Sequence, residues 1–217
     1  MSTGHDRLPS MAEIQQRETT SLRDRCVAEA LKVVETSGVE SLSLREVSRR
    51  LGVSHQAPYK HFPSRDHLLA EIVARVFEEF AQHLENRPRF PDPHDDLRSM
   101  GESYVRYALE HPLHYRLLFA TPHPNAEEHP EMTANAQRAF GLLREALGQL
   151  DETTGLDDES VEHDALFVWS TIHGLASILQ SDALCPLELD RGTVEHAAGE
   201  TLLRIGRALR AGDASEG

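Results

Sequence analysis

Residues 52–62, GVSHQAPYKHF, combine hydroxyl, amide, imidazole, aromatic and cationic side chains and contain no acidic residue. The whole chain of 217 residues, in contrast, has a formal net charge of −14. Hydroxyl and amide groups can bond to base edges, and lysine neutralises phosphate, whereas a carboxylate here would repel it. The residue types of this segment therefore predict a contact with nucleic acid.

The charge of the chain is distributed unevenly. Residues 1–75 contain 11 Lys+Arg and 10 Asp+Glu, a net charge of +1, whereas residues 76–217 contain 11 and 26, a net charge of −15. This asymmetry indicates that the N-terminal part binds a polyanion and that the C-terminal part does not.

A second set of side chains, in the C-terminal part, predicts an apolar pocket with a few polar tips. Its members are Met100, Tyr104, Tyr107, Tyr115, Phe119, Phe140, Trp169 and His173. Aromatic residues at helical spacing also form ordinary hydrophobic cores, and this alternative stays open. His173, one helical turn after Trp169, can bond to a ligand or to a backbone carbonyl.

Three alternative functions have less support. His111 with His114, or His163 with His173, are candidate metal ligands, but the sequence has no HxxxH motif or Cys–His cluster. An enzyme that uses the C-terminal pocket lacks a recognisable motif, since GxSxG, HExxH and the phosphate-binding loop are all missing. An interaction protein that has lost DNA binding does not explain the basic surface between Arg45 and Arg65. We expect no cofactor and no metal.

The elements that position these residues are predicted to be helices, because apolar residues recur at helical spacing without convincing period-2 alternation. The fold class is therefore all-α. The first helix is predicted to begin at Ser21 and stop at Gly38, and the second to begin with a capping box, Ser43 to Glu46. The remaining predicted helices are 54–62, 64–84, 94–110, 112–119, 130–150, 158–182 and 192–210, with a linker between domains at 86–93.

Two short helices, 43–51 and 54–62, joined by a turn at Gly52 describe a helix-turn-helix, whose second helix reads the DNA major groove. Pro58 falls at the fourth position of that second helix. We expect the proline to remove only about one intrahelical hydrogen bond there. Phe62 is expected to pack in the core, whereas the Tyr59 hydroxyl can reach a phosphate.

The stretch SLREVSRRLGVSHQAPYKHFPSRDHLLAEIV, from Ser43 onward, resembles the DNA-binding domain of the tetracycline-repressor (TetR) family of bacterial regulators. The stretches HPLHYRLLF, 111–119, and WSTIHG, 169–174, resemble a C-terminal domain type of this family with a Trp-His-Gly signature. The resemblance implies a three-helix helix-turn-helix domain at 19–67, with the motif at 43–62. A disordered arm, 1–18, is expected before it, and a helical ligand-binding and dimerisation domain, 68–217, after it.

The resemblance also implies roles for individual residues on double-stranded DNA. Ser43 and Arg45 are expected to contact the DNA backbone, and His55 and Gln56 differ from the commonest residues at their positions, so base preference does not carry over. The residues expected at base edges are Ser54, His55 and Gln56, and those expected at phosphates are Tyr59, Lys60, His61 and Arg65. The implied function is a transcriptional repressor that a small, mostly apolar ligand releases from its operator.

A homodimer is predicted through helices 158–182 and 192–210, because the first is apolar on most faces and the second carries a stripe of small residues. The alternative is an intramolecular core. The stripe comprises Val194, Ala197, Ala198, Thr201, Leu202, Ile205, Ala208 and Leu209. Two copies of the reading helix would match a two-fold operator.

No apolar run approaches the ~20 residues that a membrane span requires. The N-terminus also lacks the apolar segment of a secretory signal. The expected location is the cytoplasm, with Cys26 and Cys185 as reduced, buried thiols.

Overall fold

The structure is a computed structural model that describes residues 11–151 and 158–213. Within these ranges the chain forms α-helices and short 3-10 turns and no strand, which confirms the all-α prediction. No helix in the described ranges is long and apolar enough to cross a membrane. The helices are α1 Met11–Ser37, α2 Leu44–Leu51, α3 Arg65–Glu85, α4 Pro93–Glu110, α5 Pro112–Phe119, α6 Pro130–Asp151, α7 Asp158–Leu179 and α8 Arg191–Asp213.

The described chain divides into two compact units. The first unit comprises the chain up to Ile72 together with His123–His129, and the second comprises the remainder, Val73–Pro122 and the chain from Pro130. The division therefore lies inside α3, close to the boundary predicted at 67–68. The inclusion of the α5–α6 loop in the first unit was not predicted from the sequence. In this loop His129 is buried, and its ring packs edge to face on that of His67, with the ring centroids 4.9 Å apart.

The first unit is built on α1, whose buried face carries Cys26, Val27, Ala30, Val33 and Val34. This helix begins at Met11, so the predicted start at Ser21 is wrong, and residues 11–18 of the predicted disordered arm are helical. Residues 1–10 of that arm lie outside the described residues. Gly38 ends α1 as predicted, with a φ of +79° that side-chain-bearing residues rarely adopt.

Residues 86–93 form a corner between α3 and α4 within the second unit, so the prediction of a linker between domains at 86–93 is wrong. The Arg87 guanidinium is buried and donates to the Asp96 carboxylate at 2.6 Å and to the Leu84 carbonyl at 2.8 Å. The backbone N–H of Phe90 donates to the other Asp96 oxygen at 3.1 Å. The proline and polar residues of this corner therefore form a turn within one unit, and buried hydrogen bonds to Asp96 and Leu84 hold it in place.

Helix α4 is central to the second unit, where it packs against α5, α6, α7 and α8. Gly101 allows α4 to approach α8 closely, because a Cβ at this position would lie 2.2 Å from Leu202 Cδ2. Cys26 is buried as predicted, and burial raises the pKa of its thiol. The prediction of a buried Cys185 is wrong, since this thiol is exposed in the 3-10 turn Asp182–Leu187.

Candidate DNA interface and ligand cavity

The helix-turn-helix begins with α2, and the local sequence explains where this helix starts and where it stops. The Ser43 hydroxyl accepts a hydrogen bond from the Glu46 N–H at 3.1 Å, as an N-cap residue should. Gly52 ends the helix in the left-handed region, with φ +66°. The predicted capping box forms only in this half, because the Glu46 carboxylate accepts hydrogen bonds from Arg49 and Arg50 on the following turn.

The reading segment differs from the α-helix predicted over 54–62. It consists of a turn at residues 55–57 followed by the 3-10 turn Pro58–Lys60. Pro58 has no N–H with which to bond the Ser54 carbonyl, and this carbonyl accepts from the Ala57 N–H at 2.9 Å. The segment therefore forms consecutive turns where the sequence predicted an α-helix that loses one hydrogen bond at Pro58.

The segment exposes the side chains that were predicted to meet DNA. Ser54, His55, Gln56 and Lys60 are exposed, and His61 is half-buried. Tyr59 is 41% exposed and lies 5.5 Å from the His55 ring, whereas Phe62 is 2% exposed in the core. The structure thus separates the two aromatic residues as expected. The contacts of these side chains with DNA stay predictions.

The cations of this unit have different neighbours. Glu46 pairs with Arg49 and Arg50, and these hydrogen bonds lower the pKa of its carboxyl to about 2. Among the described residues, Arg45 and Lys60 are exposed and have no acidic partner. Arg45 also lines an open groove, together with Ser43, Val53 and His55 among others. Among the Lys and Arg residues predicted to contact the DNA backbone, Arg45 and Lys60 therefore differ from Arg65, which lies 3.4 Å from the Asp66 carboxylate.

Arg65 has a structural role that the sequence did not reveal. Its Nε donates to the Leu42 carbonyl at 3.1 Å, and its Nη2 donates to the Val39 carbonyl at 2.8 Å. The guanidinium thereby connects the start of α3 to the 3-10 turn Val39–Ser41. Side-chain exposure of 41% leaves part of the group facing solvent, so the predicted phosphate contact stays a prediction.

The second unit contains a cavity of about 420 Å³ between α3, α4, α5, α6 and α7, and Leu166 in its wall is exposed to solvent. Five of the eight predicted ligand-binding residues line it: Met100, Tyr104, Phe119, Phe140 and Trp169. The other lining residues are Phe77, Phe80, Leu84, Leu97, Gly101, Leu118, Ala136, Ala139, Leu143, Leu166, Val168 and Ile172.

Tyr115 and His173 do not line the cavity, although they were predicted to do so. Both lie behind Tyr104: the Tyr115 hydroxyl is 2.6 Å and the Tyr104 hydroxyl 3.0 Å from His173 Nδ1. The two hydroxyls are 3.3 Å apart. Burial lowers the pKa of His173 and raises the pKa of both tyrosines, which favours the uncharged form of all three groups.

Tyr107 also lies outside the cavity wall, in a cluster with three histidines. Its ring is within 5.2 Å of the rings of His83 and His111, and its hydroxyl is 3.3 Å from His114 Nδ1. The His111 and His114 rings are stacked 5.7 Å apart. Within the part of the chain that the structure describes, no three His, Cys, Asp or Glu side chains form a group that could hold a metal ion.

The contribution of α3 to the cavity was not predicted from the sequence. Phe77, Phe80 and Leu84 form part of the wall, and their spacing of three and four residues is the apolar stripe of an amphipathic helix. That stripe could have identified them as inward-facing. It could not show that they face a cavity, because a core and a cavity wall require the same residue types.

The small-residue stripe of α8 does not face outward as a whole. Leu202, Ile205 and Leu209 are buried within the chain itself, and Ile205 is only 3% exposed. These three residues belong to the chain's own core and are not available to a dimer interface, whereas the dimer through helices 158–182 and 192–210 stays a prediction. Large apolar side chains are exposed on other faces, with Phe167 on α7 at 42%, Ile178 on α7 and Leu203 on α8.

The chain matches two models of one protein family and is similar to a regulator of known sequence. Residues 97–210 match the family model described as "Tetracyclin repressor-like, C-terminal domain", and residues 27–72 match the model of "Bacterial regulatory proteins, tetR family". Over 169 residues the chain is 27% identical to an uncharacterized HTH-type transcriptional regulator of Mycobacterium tuberculosis, covering 77% of this chain and 74% of the relative.

Two further similarities support less: one covers a smaller part of the chain, and the other shows only the fold. Over 85 residues the chain is 32% identical to the HTH-type transcriptional repressor KstR of Rhodococcus jostii, covering 39% of this chain and 37% of that protein. A solved structure of a protein with unknown function from Rhodococcus sp. RHA1 superimposes with a TM-score of 0.70 at 22% identity, covering 95% of this chain and 98% of the other. The second similarity establishes a shared fold.

Proposed function

Because this chain belongs to the tetR family of bacterial regulatory proteins, and is therefore a DNA-binding transcriptional regulator rather than an enzyme, we propose that it is a repressor. In this proposal the repressor leaves its operator when a small apolar molecule fills the cavity of the second unit. The observation that carries the proposal is that cavity, of about 420 Å³, with a wall formed almost entirely by apolar side chains. Cavities of this size and character are typical of small-molecule sites.

DNA binding is assigned to the exposed side chains between Ser43 and Lys60. Arg45 and Lys60 would neutralise phosphates, and Ser54, His55 and Gln56 would approach base edges, since all of them are exposed or line the groove beside α2. The repressor KstR, similar over the smaller part of the chain, supports repression as the direction of control.

A two-fold dimer is part of the proposal. Phe167 and Ile178 on α7 lie eleven residues apart, about three turns, so they share one face of the helix. Both are exposed, as is Leu203 on α8. Exposed apolar residues grouped on a helix face mark an association surface, and a symmetric pair of chains presents two reading segments to a two-fold operator.

Helix α3 offers a means of coupling the ligand to DNA release. It begins at Arg65 in the first unit and supplies Phe77, Phe80 and Leu84 to the cavity wall in the second. A ligand can change the affinity for DNA only if it binds the two conformations of the protein differently, and useful induction needs about 1–3 kcal/mol of such coupling.

Replacing Trp169 with Ala tests the proposal, because this side chain lines the cavity and does not belong to the DNA-binding unit. We expect a weakened response to inducer and an operator affinity, without inducer, within a few-fold of wild type. Gel shifts on the promoter next to the gene, with and without inducer, measure both quantities. Loss of operator binding with an unaltered inducer response would show that Trp169 is only a core residue.

A further inference from the structure

The cavity wall carries no formal charge. Among the described residues that line it, none is Asp, Glu, Lys, Arg or His. Two of the lining residues carry a hydrogen-bonding group: Tyr104 has a hydroxyl, which is bonded to residues behind the wall, and Trp169 has an indole N–H. A charged ligand group that enters this cavity therefore finds no counter-charge in the wall, and its transfer from water is unfavourable.

The histidine nearest to this wall does not supply the missing charge. His173 lies behind Tyr104, and burial lowers the pKa of its imidazole, so the ring is neutral at physiological pH. A neutral imidazole nitrogen either donates one proton or accepts one hydrogen bond. His173 Nδ1 therefore serves one of the two tyrosine hydroxyls, and Tyr115, at 2.6 Å, is closer than Tyr104, at 3.0 Å.

Tyr104 is consequently the member of this network that can turn to a ligand. The pair formed by Tyr115 and His173 remains bonded when Tyr104 moves, and Tyr104 is the member that lines the cavity. Its hydroxyl is held by longer contacts, 3.0 Å to His173 and 3.3 Å to Tyr115, and the Trp169 side chain also interacts with it. A ligand oxygen can accept from both the Tyr104 hydroxyl and the Trp169 indole N–H, so neither group is left unpaired.

We propose that the cavity selects an uncharged, mostly hydrocarbon ligand with one neutral oxygen acceptor, and that the Tyr104 hydroxyl donates a hydrogen bond to this oxygen. The inference rests on the proposed function, in which the cavity is the effector site. A volume of about 420 Å³ corresponds to roughly fourteen water molecules of about 30 Å³ each. A single-chain alcohol of medium length matches this volume, and a carboxylate of the same length is its charged counterpart.

The experiment uses 1-dodecanol and dodecanoate as matched probes and the protein's own fluorescence as the readout. Trp169 is the chain's one tryptophan and lines the cavity, so its emission reports occupancy directly. At about pH 8 dodecanoate is fully ionised. We expect 1-dodecanol to bind at least about tenfold more tightly than dodecanoate, with both probes kept below micelle-forming concentrations.

Two tyrosine-to-phenylalanine variants distinguish the contribution of the hydroxyl to ligand binding from that of the aromatic ring. Tyr104→Phe should weaken 1-dodecanol binding by about three- to tenfold, the range for one neutral hydrogen bond. Tyr107→Phe is the matched control on the same helix, since Tyr107 is equally buried and hydrogen-bonded but does not line the cavity. Binding by this control should equal that of wild type.

The outcomes distinguish this inference from the proposed function. Dodecanoate binding as tightly as 1-dodecanol, or equal affinities in the two phenylalanine variants, would overturn the inference and leave repression intact. Binding as expected without release of operator DNA would support the inference and contradict ligand-controlled repression. If neither probe alters Trp169 emission at saturation, the inference is overturned as well.

Discussion

Lys60 and Arg65 were predicted as equivalent phosphate ligands, yet the fold gives their charges different neighbours. Lys60 is exposed without an acidic partner among the described residues, whereas Arg65 donates to two backbone carbonyls, those of Val39 and Leu42. The two residues can therefore be tested by different measurements, one of DNA affinity and one of stability.

Replacing Lys60 with Ala should weaken binding to all DNA sequences and reduce the slope of log K against log salt by about one unit per subunit. The reason is that a lysine that neutralises one phosphate releases about one counterion. Fluorescence anisotropy over a salt series measures the slope. Lys32→Ala is the control, because Lys32 is the chain's other lysine and lies beside Glu29 on α1. An unchanged slope in the Lys60 variant would remove this residue from the phosphate contacts.

Replacing Arg65 with Ala should lower the free energy of unfolding by about 1–2 kcal/mol, because two carbonyls lose a charged hydrogen-bond donor. The expected loss of unfolding free energy is moderate because part of the Arg65 side chain is exposed. Arg45→Ala should change stability by less than about 0.5 kcal/mol, because it is exposed and has no acidic partner among the described residues. Urea unfolding of both variants checks the contrast, and equal stabilities would refute the structural role of Arg65.

At the scale of elements, the turn after α2 depends on one glycine. Gly52 has φ +66°, and no heavy atom lies within 4 Å of a Cβ built there, so an alanine would be disfavoured by backbone conformation alone. Gly141, within α6, has the same open space but no positive φ. Identical substitutions at the two positions therefore isolate the conformational cost.

Gly52→Ala should destabilise the protein by about 1 kcal/mol, and Gly141→Ala should stabilise it by up to about 1 kcal/mol. The sign differs because alanine is strained in the left-handed region and favoured inside a helix. Thermal unfolding of the two variants under the same conditions is the measurement. Stabilisation by both substitutions would show that the turn at Gly52 does not require its left-handed conformation.

At the scale of the whole molecule, the dimer proposal now rests on α7 and the outer face of α8. Phe167→Glu should give a folded monomer, because the charge is added where the single chain leaves Phe167 42% exposed. Ile205→Glu should instead unfold the chain, since Ile205 is 3% exposed in its own core. Light scattering gives the mass and circular dichroism the folded state. A wild-type protein that is monomeric at micromolar concentration would exclude the dimer.

The sequence by itself determined the helical class, both ends of α2 and the apolar faces of the helices, on which the five predicted residues that line the cavity lie. These features depend on local signals, namely the Ser43 cap, the Gly52 stop and apolar residues at helical spacing. Such signals act over a few residues, and a single sequence contains them in readable form.

Tertiary structure decided what each side chain faces. Whether Arg65 meets a carbonyl or a phosphate, and whether Ile205 points into its own chain, depends on residues distant in sequence. The same is true of Tyr115 and His173, which lie behind Tyr104 because α4, α5 and α7 converge there. Helical periodicity identifies the apolar face of each helix, but only the packing of several helices determines whether that face covers a core, a cavity or a partner.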